Sequence, residues 1–349
     1  MRVRQAKKTK DTMSVEREQD TTRGVTLADV EAARDRLAGR IHRTPLLSSH
    51  TLGRQIGLDG PIWLKAESFQ RTGSFKARGA LNKIETLSAK EKARGVITVS
   101  AGNHAQGVAW AAASAGVRAT VVMAEIASPT KVAATREYGA EVILFGKDNI
   151  AAFAEMDRLR IERGLTLVHP YDDPQTIAGQ GTIGLEILED LPLLGQGAGA
   201  GCDTVIVPIG GGGLIAGIAL AIKGQRPWVR IIGVEPQGAA AMHTALAAGQ
   251  VVPLTNIQTV ADGLTAPFAG VLNLALVREY VEEVVLLDDE AILAGLRFLL
   301  ERAKLVAEPA GAAAVAALLS GAVTVEPGST VVAVIGGGNI DLGRLKGYL

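Results

Sequence analysis

The run Ser74-Phe75-Lys76-Ala77-Arg78-Gly79-Ala80 puts a lysine directly after a Thr72-Gly73 turn and an aromatic residue. Upstream, Pro61-Ile62-Trp63-Leu64-Lys65-Ala66-Glu67 reads as a short strand, and the small residues after Lys76 read as a helix start. Lys76 is thus expected at a strand-to-helix junction. The partial positive charge of a helix N-terminus and apolar neighbours both disfavour an ammonium ion there. An amine with a lowered pKa can carry a Schiff base. On these residues alone a second reading stays open, in which the lysine stem lies along an amphipathic helix and its charge reaches solvent.

Gly210-Gly211-Gly212-Gly213 lies between an apolar run and a helical one. Glycines there let backbone N–H groups close around a phosphate at the helix N-terminus. The spacing is neither the dinucleotide G-x-G-x-x-G pattern nor a P-loop, since no Lys-Ser/Thr follows. Four consecutive glycines cost too much chain entropy for a plain turn. Ser100-Ala101-Gly102-Asn103-His104-Ala105-Gln106-Gly107 follows another apolar run. Its small residues and amides suit an anion such as a carboxylate. Asn103 offers an amide donor, and His104 is read as bonded to backbone in a loop rather than as a base. Gly336-Gly337-Gly338-Asn339 offers a second close backbone approach, with Asn339 expected to cap a helix from Ile340. Glu308, before Pro309-Ala310-Gly311, reads as an N-terminal helix carboxylate.

The elements that must position these groups alternate. A helix is expected over Leu27–Leu37 with Thr26 as N-cap, and extended chain through Arg43-Thr44-Pro45. Strands are expected over 96–99, 119–123, 141–145 and 165–168, with helices over 105–115, from Pro129, and over 150–163. Residues 191–201 read as a Gly-rich loop. Strands over 204–208, 230–234 and 330–335 are separated by helices over 214–222, 289–304 and 310–319. Strands alternating with helices imply an α/β fold with parallel-rich sheets.

At 349 residues the chain is long enough for two domains. Its 36 basic and 36 acidic side chains balance, so nothing marks nucleic acid or a membrane surface as partner. Cys202 is the single cysteine, which excludes a disulfide framework or thiolate metal cluster and fits a reducing cytoplasm. No run is long and apolar enough to span a bilayer. Residues 1–24 are polar, lack a signal-peptide apolar region and carry Asp11, Glu16, Glu18 and Asp20, so a disordered tail is expected, with Met13 an alternative start.

Taken together, the chain resembles the fold type II pyridoxal-phosphate enzymes (tryptophan synthase β-like), and within them the serine/threonine dehydratase branch that includes serine racemase. The resemblance runs from about residue 27 onward. It rests on Thr44-Pro45-Leu46, Lys65-Ala66-Glu67 through Gly73-Ser74-Phe75-Lys76, Ser100 to Gly107, Ser128-Pro129-Thr130-Lys131 through Thr135, His169-Pro170, Ile177 to Thr182, Gly210 to Gly213 and Gly336 to Asn339. It implies the cofactor pyridoxal 5′-phosphate, held as a Schiff base by Lys76. It further implies that Phe75 packs on the ring and Asn103 bonds its 3′-oxygen. Gly210, Gly211, Gly212 and Gly213 would hold the phosphate, with Glu308 and Gly336 near the ring. Ser100, Ala101, Gly102, Asn103 and His104 would receive the substrate carboxylate. The implied architecture is a large domain of 25–97 plus 172–349 and a small mobile domain of 98–171. The implied activity is α,β-elimination from L-threonine and L-serine to a 2-oxo acid and ammonia, with Lys76 taking the Cα proton. A homodimer or homotetramer is expected.

Three departures qualify that expectation. Ala101 stands where racemases of the family use a serine as opposite-face acid/base, which argues against racemisation. Gly336 replaces the Ser or Cys that usually bonds the pyridine nitrogen. Glu235 is present where relatives bind a divalent cation, but Ala241 replaces the second carboxylate, so no metal site is expected. The sequence ends soon after Asn339, so isoleucine feedback is not expected. A threo-3-hydroxyaspartate lyase, a racemase-like isomerase and a non-catalytic cofactor-binding or amino-acid-binding protein remain as alternatives.

Overall fold

The computed structural model describes residues 2–4, 24–194 and 201–349. The strands are β1 (Arg2–Arg4), β2 (Leu46–Ser49), β3 (Ile62–Ala66), β4 (Val96–Val99), β5 (Ala119–Met123), β6 (Glu141–Leu144), β7 (Thr166–Leu167), β8 (Thr204–Pro208), β9 (Arg230–Pro236), β10 (Glu283–Leu287) and β11 (Val331–Ile335). They form a seven-stranded sheet in the order β1-β10-β9-β8-β11-β3-β2 and a four-stranded sheet in the order β6-β5-β4-β7. Only the edge strands β1 and β2 of the large sheet run antiparallel to their neighbours. The expected α/β class and parallel-rich sheets are therefore observed.

Apolar strand runs follow from burial on both faces. On one face of the large sheet, Ile206, Ile232, Ala333 and Ile335 pack with Ala312, Val315 and Ala316 of the helix Pro309–Leu319. On the other, Val205, Val207, Val332 and Val334 pack with Ile183, Ile215 and Ile218. The latter three come from the helices Pro174–Asp190 and Gly213–Gln225. Thr26 caps the helix Leu27–Leu37 in a reciprocal box with Asp29, and Pro129 opens the helix Pro129–Glu137.

Some expectations shift. The helix read over 289–304 ends at Phe298 and continues as a π-helical turn, Leu299–Ala303. The division expected after residue 97 falls inside β4, which pairs through Val99 with β5 of the four-stranded sheet. Arg2–Arg4 of the expected disordered tail add to the open edge of β10 through backbone pairing; residue 1 and residues 5–23 of that tail, and 195–200 of the Gly-rich loop, lie outside the described residues. In the large sheet β8, β11 and β3 are neighbours and parallel, so the loops after them lie side by side at their carboxyl ends. Ligands bind at that edge in open α/β sheets.

Candidate active site

The loop after β3 delivers Lys76. It makes two short helical turns, Glu67–Phe69 and Arg71–Gly73, and Lys76 then opens the helix Lys76–Glu85. Lys76 Nζ donates to the Pro170 carbonyl at 2.7 Å and lies 5.1 Å from the centre of the Phe75 ring. Burial pulls its amine down to about 8, against the opposing charge of Glu308. The helix is anchored by a buried charge cluster two residues on. Arg78 bonds Glu67 at 2.8 and 2.9 Å and Glu186 at 2.6 and 2.9 Å. Lys65 donates to Glu186 at 2.6 Å, and Arg78, Lys65 and Glu67 are fully buried. Burial opposes the Arg78 charge, but Glu67 and Glu186 outweigh it and raise its pKa.

The loop after β8 is Ile209 to Gly213. A Cβ on Gly211 would fall 2.4 Å from the Tyr171 ring, and one on Gly213 2.7 Å from the Tyr171 carbonyl. Gly212 has φ +96 and leads into the helix. Among the described residues, the amides of Gly210, Gly211 and Gly212 donate to no protein acceptor. The Gly211 carbonyl is instead taken by the Gly270 amide and by Asn273 Nδ2, which holds the loop open toward its amide side.

The loops after β4 and β11 meet through side chains. Asn103 Nδ2 donates to Glu308 Oε1 at 2.6 Å, and Asn339 Nδ2 donates to Asn103 Oδ1 at 2.8 Å. Burial pushes the Glu308 carboxyl up to about 7, against the Asn103 bond. Glu308 is the N-cap residue of its helix, but its side chain makes no cap bond. His104 lies in the first turn of the helix Asn103–Ser114 rather than in a loop, and its Nε2 bonds the Val168 carbonyl at 2.9 Å as a backbone partner. Burial and the Lys76 charge lower its pKa to about 3, so the ring is neutral and Nε2 is its donor. Ser100, Ala101 and Gly102 form the turn between β4 and that helix, with the Gly102 amide bonded to Ser100 Oγ at 3.2 Å.

The structure bonds Asn103 to Glu308 and sets Lys76 within reach of the Glu308 charge, and besides His104 it corrects Asn339. Asn339 caps no helix. The next helix is Leu342–Tyr348 with Asp341 in the N-cap position, while the Asn339 amide is spent on Thr72 and Asn103. Gly336 is not forced by space, since a Cβ there would meet Phe75 at 3.6 Å and Pro208 at 3.8 Å. Gly337 is tighter: a Cβ there would meet Glu308 Oε1 at 2.8 Å and Ser74 Cβ at 3.0 Å, so the Glu308 carboxyl would have to move. The Glu235 carboxylate accepts the Met242 and His243 amides at 2.7 and 2.8 Å, so it is engaged in holding the helix Ala241–Ala248. Sequence reasoning gives no role to Pro170, Tyr171, Asn273 or the Arg78 cluster. The run His169-Pro170-Tyr171 is visible only as part of a pattern, because a backbone carbonyl acceptor has no side-chain signal.

A model of the pyridoxal-phosphate dependent enzyme family matches residues 37–337. The chain belongs to that family. Among similar proteins, the L-threonine ammonia-lyase of Geobacter sulfurreducens is 48% identical over 313 residues, covering 90% of this chain and 75% of that one. The catabolic L-threonine dehydratase TdcB of Escherichia coli K12 is 45% identical over 324 residues, covering 92% of this chain and 95% of that one. Among solved structures, maize serine racemase superposes with a TM-score of 0.86 at 37% identity, covering 93% of this chain and 96% of that one. A T.th. threonine deaminase does so with a TM-score of 0.83 at 43% identity, covering 91% and 99%.

The cofactor of this family is pyridoxal phosphate, and the residues present fit it. A partly buried lysine amine of lowered pKa suits its aldehyde, and undonated glycine amides at a helix start suit its phosphate. Ser74 Oγ, Thr72 Oγ1, His104 Nδ1 and Asn273 Oδ1 are buried without protein partners around these same loops, as expected of walls built for a polar guest.

Proposed function

We propose that this pyridoxal-phosphate enzyme is an ammonia-lyase that converts L-threonine, and L-serine, to 2-oxobutanoate and pyruvate with release of ammonia. The observation that carries the reading is the Lys76 amine: partly buried, lowered to about 8, bonded to the Pro170 carbonyl and delivered by the loop at the carboxyl end of β3. The relatives named as threonine ammonia-lyases and dehydratases support the substrate class.

When bound, pyridoxal phosphate acts as the electron sink for the bond broken at the substrate Cα. Lys76 holds the cofactor, and its Nζ, poised near neutrality, accepts the Cα proton. Gly210 to Gly213 would hold the phosphate through their amides, and Phe75 would pack on the ring. Asn103, with one Nδ2 hydrogen left over by Glu308, would bond the ring 3′-oxygen. The turn Ser100 to His104 receives the substrate carboxylate at a helix N-terminus. Ala101 has no proton to give on the opposite face, so elimination is favoured over racemisation. Glu308 sits near the ring and holds a proton near neutrality.

In the same reading, the small domain expected over 98–171, extended to take in the whole of β4 with its four-stranded sheet, moves against the rest and closes the site from water. Lys131 bonding Asp262 at 3.3 Å is one contact across that divide. The enzyme works in the cytoplasm as a homodimer or homotetramer. Among the described residues no helix is long and apolar enough to cross a membrane.

The test is 2-oxo acid release from L-threonine, L-serine and threo-3-hydroxyaspartate in parallel, with and without EDTA. Turnover of threonine or serine, unchanged by EDTA, supports the reading. Turnover of hydroxyaspartate alone replaces the substrate, and no 2-oxo acid from any of them overturns the reading.

A further inference from the structure

We propose that Asn339 is a positioning residue of the active site: it fixes which face of the Asn103 carboxamide is presented and pins the turn that leads into Lys76. The proposal rests on the assignment of Asn103 to the cofactor ring under Proposed function.

The first observation is the hydrogen-bond arithmetic of two amides. A carboxamide has two N–H donors on nitrogen and acceptors only on oxygen. Asn339 Nδ2 spends one donor on the Thr72 carbonyl at 2.7 Å and the other on Asn103 Oδ1 at 2.8 Å. Both of its partners are pure acceptors, so its orientation is set. Asn103 Oδ1 is thereby occupied, and Asn103 must turn Nδ2 the other way. One Nδ2 hydrogen goes to Glu308 Oε1 at 2.6 Å, which leaves one donor hydrogen over. An ionised Glu308 favours the same orientation, but a protonated one could donate to a flipped Asn103, which would then offer an oxygen where the ring needs a donor; Asn339 opposes that flip in either state.

The second observation is backbone strain beside Lys76. Thr72 has φ 60 and Gly73 φ 71, two successive left-handed residues of which the first is not glycine. Such a conformation persists only where surroundings impose it. The loop after β11 imposes it. The Phe75 amide donates to the Gly336 carbonyl at 3.1 Å and the Gly338 amide to the Gly73 carbonyl at 2.9 Å. The Asn339 side chain closes this zipper at Thr72. A Cβ on Gly73 would fall 2.4 Å from Asn339 Oδ1, so the turn is shaped around that amide. One side chain thus ties Asn103, Glu308 and the approach to Lys76 together, over separations in sequence of 236 and 267 residues.

Asn339→Asp is the discriminating variant. It keeps the shape but sets oxygens against two acceptors. The holoenzyme should lose kcat for L-threonine by about 10–100-fold, as when an outer partner of a functional side chain is removed, with KM changed by less than about threefold. The equilibrium affinity of the apoenzyme for pyridoxal phosphate, read by visible absorbance, should fall as well. The deciding measurement is a double-mutant cycle with Asn103→Ala, in kcat and in cofactor affinity. If Asn339 acts through Asn103 as well as through Thr72, Asn339→Asp should cost clearly less in the Asn103→Ala background than in the parent, the remainder being the lost Thr72 bond. Additive losses, or a holoenzyme within twofold of the parent, overturn the proposal. Near-UV circular dichroism checks the fold. If Asn339→Asp unfolds, Asn339→Ser, which removes both N–H donors with a small side chain, takes its place in the same cycle and decides by the same criteria. Failure of the lyase reading shows separately, as absent threonine turnover in the parent enzyme, while the cofactor-affinity cycle still decides the role of Asn339.

Discussion

Lys76 and Pro170 meet through one hydrogen bond: the lysine Nζ donates to the proline carbonyl at 2.7 Å, across 94 residues of sequence. Burial lowers the pKa of the amine, and the Glu308 charge opposes that lowering. The amine is therefore placed and tuned by backbone and burial. Lys76→Ala should cut threonine turnover at least about 1000-fold, the scale for removing a group at the centre of the chemistry. It should also abolish the visible absorbance of the bound cofactor. Retained turnover with absorbance lost would move the base elsewhere.

The glycine loop makes a different demand. A Cβ on Gly211 would lie 2.4 to 2.5 Å from Cγ, Cδ1 and Cδ2 of Tyr171, a ring held edge-on to His169 at 4.8 Å. Gly211→Ala should displace that ring and with it the segment that carries Pro170. Cofactor affinity should fall about tenfold or more, while Gly336→Ala, which meets only ordinary contacts, should change it far less. Titrating each apoenzyme with cofactor separates the two; equal losses would mean that the Gly211 neighbours yield without consequence.

The same glycines explain what can and cannot be read from the sequence. Strands such as Thr204–Pro208 and Val331–Ile335 are short apolar runs because all their residues are buried, and they are legible. Lys76 is legible because its flanking turn and strand are local. The helix Pro174–Asp190 shows only as a pattern, since Gly179, Gly181 and Gly184 read as helix breakers. In the fold they permit close packing. A Cβ on Gly179 would sit 2.6 Å from Gly79 Cα, and one on Gly217 2.6 Å from the Gly181 amide. Asn339 misleads for a related reason. An asparagine before a helix looks like a local cap, whereas its partners here lie hundreds of residues away, and no local pattern carries that.

Ala101 tests the preference for elimination. It occupies the turn after β4, partly buried, three residues before the neutral His104. Ala101→Ser restores a hydroxyl to a face otherwise lacking one. The variant should form D-serine from L-serine while retaining elimination within about tenfold, a modest loss for one small polar change. Chiral chromatography of the residual serine checks it. D-serine from the parent enzyme at the rate of pyruvate would instead show an acid/base on that face already.

The buried charges around Arg78 predict a stability cost rather than a catalytic one. Arg78→Met strands Glu67 without a cationic partner and leaves Glu186 with Lys65 alone. Breaking a buried pair from one side costs about 3–5 kcal/mol, because the remaining charge stays desolvated. Adding Glu67→Gln should recover part of that loss. Urea midpoints of the three proteins give the comparison. A single variant as stable as the parent would mean that water reaches Glu67.

Glu308 gives the pH dependence. Its carboxyl is pushed up from 4.5 to about 7, so between these values the folded chain keeps a proton that the unfolded chain has released. The stability it contributes is complete below the unfolded value and is lost as pH rises through the folded one. Lys76, lowered from 10.5 to about 8, works in the opposite sense above that pH, so the useful window ends there. Glu308→Gln keeps the oxygen that Asn103 bonds and removes the titration. Between about pH 5 and pH 7.5 the apoenzyme should lose stability, and Glu308→Gln should lose less, by on the order of 1–3 kcal/mol. Thermal unfolding at several pH values measures both. Parallel curves for the two proteins would mean that Glu308 is already ionised in the folded chain at pH 5, and that the Asn103 bond outweighs the cost of burying its charge.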